Sequence, residues 1–145
     1  MKFSFFLSAI LFASTASLAL GAKPEIFGKV ALKGYDPVAY FKAGTPQKGD
    51  KAISYQWKNA EWRFSSADNR DKFIASPEKF APQYGGYCAW AVSRNYTAAT
   101  DPHAWKIVDE KLYLNYNKSV RASWEKSAAA NIKKADGNWP SVLNK

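Results

Sequence analysis

Lys106-Ile107-Val108-Asp109-Glu110-Lys111-Leu112-Tyr113-Leu114-Asn115-Tyr116-Asn117 decides the fold class. Lys106 to Val108 and Lys111 to Tyr116 read as two strands around an Asp109-Glu110 turn, a hairpin. Asn117 then stands where a helix cap belongs. Beyond it Val120, Trp124, Ala128 and Ile132 fall four apart, the stripe of a C-terminal amphipathic helix packed on a sheet. A hairpin followed by an amphipathic helix predicts an α+β fold, a small antiparallel sheet covered by helices.

The pattern repeats toward the N-terminus. Ala52 to Trp57 alternates Ile53, Tyr55 and Trp57 against polar residues, and Glu61 to Phe64 returns as its partner after Lys58-Asn59-Ala60. Asp36-Pro37 opens a short helix through Phe41, with Gly44 at its C-cap position. Ser65 and Asp68 have capping-box spacing for a helix carrying Phe73 and Ile74. Ser76 caps a second short helix, Pro77 to Phe80. Tyr87 to Val92 alternates as a strand after the permissive Gly85-Gly86 pair. Gly137 ends the last helix, and Trp139-Pro140 leads to a tail.

The chain has 145 residues, 47% of them hydrophobic, which fits one packed domain. Its first 22 residues read as a general secretory signal peptide: Met1-Lys2, an apolar run from Phe3 to Leu20, and small residues before Lys23. An uncleaved anchor is the alternative. Cleavage falls between Ala19 and Lys23, leaving a single domain over 23–145 that is periplasmic or extracellular. Loss of Lys2 removes one of 21 basic residues against 12 acidic ones, so the net charge falls from +9 to +8. That charge implies weak attraction to anionic envelope surfaces. The basic residues are scattered, so nucleic acid is not expected. One Cys and one His exclude an internal disulfide and a tetrahedral Cys/His zinc site within one chain.

Several motifs together resemble the exported bacterial YHS-domain proteins. They are Gly34-Tyr35-Asp36-Pro37-Val38-Ala39-Tyr40-Phe41, Trp62-Arg63-Phe64-Ser65-Ser66, Asn69-Arg70-Asp71-Lys72-Phe73, Leu112-Tyr113-Leu114-Asn115-Tyr116 and Trp124. The most specific is Pro77-Glu78-Lys79-Phe80-Ala81-Pro82-Gln83-Tyr84-Gly85-Gly86-Tyr87-Cys88-Ala89. The resemblance covers most of residues 28–140 and implies a YHS-like fold. Metal-handling YHS members carry a Cys after Asp-Pro-Val; here Ala39 follows Val38, and Ser65, Ser66 and Asn69 occupy the region of the other thiols. Their metal role is therefore not carried over. Some proteins of this subgroup are selenoproteins; if selenocysteine stands at the Cys88 position, the resemblance implies chemistry at that atom.

Cys88 is thus the leading functional candidate, either as a reactive or ligating thiol or as buried core. His103 is a weak second metal ligand with it, suited to a soft ion such as copper, with zinc the other metal considered. Tyr35, Asp36, Tyr84, Gly85, Gly86 and Tyr87 are candidates to line a ligand pocket around Cys88. The plainer reading of the tyrosines and Asp36, and the favoured one, is aromatic core and a helix cap. Three functions follow as expectations. The first is a binding module for a soft metal ion or small ligand at Cys88, acting alone or as a homodimer with one thiolate from each chain. The second is a thiol redox protein, and the third a non-catalytic interaction domain.

Overall fold

Two antiparallel hairpins organise the chain, and each turns on two residues with positive φ. Lys58 (φ 50°) and Asn59 (φ 60°) join β1 (Asp50–Trp57) to β2 (Ala60–Phe64). Asp109 (φ 50°) and Glu110 (φ 63°) join β3 (Asp101–Val108) to β4 (Lys111–Asn115). Two-residue left-handed turns match the twist of paired strands. Both hairpins were legible, but β1 and β3 begin earlier than their alternation indicates. The register shifts between Asp50 and Ser54 in one and between Asp101 and Trp105 in the other, and such an irregularity breaks period two.

The computed structural model describes residues 22–145. The signal peptide expected over 1–22 lies outside the described residues, Ala22 excepted. The architecture is α+β, as expected, but the hairpins form two separate two-stranded sheets instead of one small sheet. Among the described residues, no helix is long and apolar enough to cross a membrane.

β4 lies between two apolar clusters. Leu112 and Leu114 enter one with Val38, Tyr40, Trp62, Phe64 and Phe73; Tyr113 enters the other with Tyr84, Val92, Trp124 and Val142. Alternate strand residues point to opposite faces, so one short strand serves both clusters. Aromatic pairs carry much of the packing, with Trp62 and Phe73 centroids 4.9 Å apart and Tyr113 and Trp124 centroids 5.2 Å apart.

The helices are short. They are α1 (Ala39–Lys42), α2 (Ala67–Ala75), α3 (Pro77–Phe80), α4 (Ala89–Ser93), α5 (Lys118–Glu125) and α6 (Ala128–Asn138). Ser66, not Ser65, caps α2: its side chain accepts from the Asn69 backbone N–H at 3.1 Å. The Ser65 hydroxyl is instead committed to Asp36. Ser76 precedes α3 without a side-chain capping bond, so Pro77 at the first turn starts that helix. Asn117 caps α5 as expected, accepting from Val120 N–H at 2.8 Å.

Three further expectations are corrected. The segment read as a strand, Tyr87 to Val92, is the single-turn helix α4 with Cys88 at its N-cap. Its small-large alternation mimics period two, but Ala89, Ala91, Val92 and Ser93 are all buried, which a one-sided strand would not give. The single C-terminal helix is two, broken at Lys126-Ser127; Trp124, Ala128 and Ile132 still pack in one cluster. Asn131 donates from Nδ2 to the Trp124 carbonyl at 3.0 Å and satisfies the end of α5 at that break. Gly137 lies inside α6, which runs on to Asn138.

Candidate functional site

The turn Gln83–Gly86 positions the residues of the longest sequence motif. Tyr84 (φ 57°), Gly85 (φ 61°) and Gly86 (φ 84°) are consecutive left-handed residues. Gly85 is demanded by close approach: a Cβ there would stand 1.7 Å from the Glu25 carbonyl oxygen. Its own carbonyl accepts from Phe27 N–H at 2.8 Å, so the turn holds the N-terminal segment. Tyr84 is no natural occupant of left-handed backbone. Its side chain compensates, with the hydroxyl donating to Asp136 Oδ1 at 2.8 Å and the ring packing 5.9 Å from both Tyr113 and Trp139. Burial and the Asp136 carboxylate push its phenol well above the ordinary tyrosine range. Tyr87 donates to the Pro24 carbonyl at 2.8 Å, and the Gly86 carbonyl accepts from the Thr100 hydroxyl at 2.7 Å.

Past this turn the chain delivers Cys88 to the start of α4. The thiol is 1% exposed, and its sulfur lies 3.6 Å from Asn115 Oδ1, to which it donates. The same oxygen accepts from Trp90 N–H at 3.1 Å, so a β4 side chain caps α4 from across the fold. Asn115 is itself fully buried, and its Nδ2 has no partner among the described residues. Burial pushes the Cys88 thiol above its ordinary value, against smaller opposing effects from the backbone N–H groups of Ala91, Tyr116 and Trp90 and from Arg94. Arg94 stacks its guanidinium 3.2 Å above the Trp90 ring.

Cys88 nevertheless lines a cavity of about 260 Å³, with Trp90, Tyr96, Ala98, Tyr116 and Val120. Its low exposure makes it the floor of that space. Tyr96 and Tyr116 are 49% and 56% exposed, unusual for large aromatic side chains. The lining is apolar apart from the thiol and the two phenols, so the cavity suits a small, largely apolar molecule.

The other expected site residues do not gather around Cys88. Asp36 is fully buried and accepts from five donors: Val38 N–H (2.8 Å), Ala39 N–H (3.3 Å), Ser65 N–H (2.8 Å), the Ser65 hydroxyl (2.8 Å) and Asn69 Nδ2 (2.8 Å). That is a structural carboxylate joining α1 to α2. Tyr35 packs edge-on to His103 at 5.4 Å between ring centroids. His103 is half exposed, with Nδ1 3.3 Å from Asp101 Oδ1, and is not among the residues that line the space at Cys88. Among the described residues no group of three or more His, Cys, Asp or Glu side chains is placed to hold a metal ion. In the Cys88–His103 pair considered for copper or zinc, the two side chains bond different partners, Asp101 for His103 and Asn115 for Cys88.

Tyr84 and Gly85 do line a cleft, but a different one, with Trp57, Lys111, Asp136 and Trp139 among its walls. Sequence reasoning missed Asn115, Tyr96 and Tyr116 as surroundings of the thiol. Only Asn115 left a trace: it is a polar residue on the same face of β4 as the buried Tyr113. No family model, curated protein or solved structure matches the chain.

Proposed function

We propose that the protein is an exported binding module of YHS type that takes a small, largely apolar ligand in the cavity above Cys88. The observation that carries this reading is the 260 Å³ cavity with the thiol at its floor and two exposed tyrosines in its lining. A void of about 150 Å³ lined by apolar groups is enough to bind benzene, so a single-ring or fused-ring ligand is the matching size class. The sulfur supplies a soft, polarisable contact to such a ring. The sequence resemblance supports the scaffold and the exported setting.

The small-ligand branch is favoured over the metal branch because the thiol's hydrogen-bond partner is Asn115 Oδ1, a hard amide oxygen. It is favoured over thiol redox chemistry because burial holds the thiol in its protonated form, whereas redox cysteines are thiolates in accessible, electropositive surroundings. Indole is the probe for the test. Saturable binding that slows alkylation of Cys88, and that is lost in Val120→Trp at unchanged melting temperature, is the expected result. Absence of saturation, with Cu(I) bound by the wild type and not by Cys88→Ser, would return the reading to a metal module.

A further inference from the structure

We infer a second binding site, in the cleft of about 400 Å³ that Tyr84 and Gly85 line, for a small zwitterion carrying a substituted ammonium group and an acidic group. The cleft lies on the seam of the molecule. Ile26 and Trp57 bring one wall from the first apolar cluster, and Tyr84 and Trp139 bring the other from the second. Its volume falls in the ordinary range for small-molecule sites. The turn residue Lys58 and Lys111, the first residue of β4, show that both hairpins reach it.

The charges in the cleft sort into committed and uncommitted groups. Lys58 Nζ is held by Glu25 at 2.7 Å and Glu78 at 3.5 Å, and it sits 4.7 Å from the centre of the Trp57 ring. Those four residues show the cation–aromatic–carboxylate chemistry this wall already supports, and they leave one negative charge in excess. Asp136 uses Oδ1 to accept from Tyr84, and Oδ2 has no partner among the described residues. Lys111 has no ion-pair partner among the described residues.

The cleft therefore offers one free carboxylate oxygen, one free ammonium and the Trp139 ring on a single concave surface. A substituted ammonium is attracted by an aromatic face and a carboxylate together. An acidic group on the same ligand answers Lys111. Three carboxylates against two lysines give the lining a net negative charge on a chain of net +9, so a simple anion is not its match. The left-handed backbone at Tyr84 has its part here: with the side chain anchored on Asp136, it fixes which carboxylate oxygen remains free.

Glycine betaine is the probe, followed by the indole NMR signals of the full-length protein, with choline and acetate as its separate halves. The expected result is saturable shifts at Trp57 and Trp139 with betaine, and weaker binding of either half alone. Asp136→Asn and Lys111→Gln should each weaken betaine by about fivefold, the upper end of what an exposed ion pair supplies. Cys88→Ser should leave it unchanged. Lys111 is exposed, so Lys111→Gln stays informative even if Asp136→Asn disturbs Tyr84 and the fold. No saturation, equal affinity in Lys111→Gln and wild type, or shifts confined to Trp90 would each overturn the site.

Discussion

The surroundings of Cys88 set its chemistry. A sulfur 1% exposed, bonded to Asn115 and raised in pKa by burial is a poor nucleophile at neutral pH. Alkylation in the folded protein should be far slower than in the urea-unfolded chain and should climb as pH rises through and beyond 9.0, the ordinary thiol value. Labelling kinetics followed by mass across pH check this; equal rates folded and unfolded would contradict it. Asp36 is the opposite kind of residue, a buried acceptor serving five donors. Asp36→Ala leaves those donors without a partner and should cost about 3–5 kcal/mol, measured by denaturant titration. Asp36→Asn does not rescue it, because one side of the amide would present N–H to donors.

Two elements depend on contacts made far along the chain. Gly85→Ala must move either the turn or the segment around Glu25, and it places a Cβ in left-handed backbone as well. A loss of about 3 kcal/mol is expected, together with new proteolytic cutting near residues 23–27, seen in a melt and a limited digest. Helix α4 depends on Asn115 as the acceptor for the Trp90 N–H in its first turn. Asn115→Leu should cost about 1–3 kcal/mol and accelerate Cys88 labelling, because α4 loses its cap and the thiol its acceptor. The same element shows why alternation misled. Ala-Trp-Ala-Val has the period of a strand, yet a one-turn helix buried on several sides accepts the same residues. The break between α5 and α6 was hidden too, since the apolar stripe continues through it and the Asn131 bond that closes α5 joins residues seven apart.

At the scale of the whole molecule, several buried acids titrate only at alkaline pH. Burial and the carboxylates of Asp136 and Asp109 push Tyr113 up to about 12, and Tyr40 and Tyr84 are raised further, chiefly by burial. In the unfolded chain the thiol and phenols ionise near 9.0 and 10.0. Above those values the folded state binds more protons than the unfolded state, so unfolding is favoured as pH rises. Stability should therefore be independent of these groups below about 9 and fall steadily toward about 12. Melting temperatures across that interval test it; a flat profile would mean that the phenols ionise freely in the fold.

What the residues alone determined is what near neighbours control. Alternation in the strand pairs, the two-residue turns, Pro77 at a helix start and Asn117 as a cap all act within a few residues, so the α+β class and both hairpins were readable. The Tyr84-Gly85-Gly86-Tyr87-Cys88 stretch stood out in the sequence as the most specific motif. The tertiary structure decided what that stretch does. It sends Tyr84 and Gly85 to one cleft and Cys88 to the floor of another cavity, caps α4 with Asn115, and makes Asp36 the joint between α1 and α2. Those outcomes rest on pairs such as Glu25 with Gly85 and Cys88 with Asn115, and local periodicity holds no information about which distant side chain fills a given space.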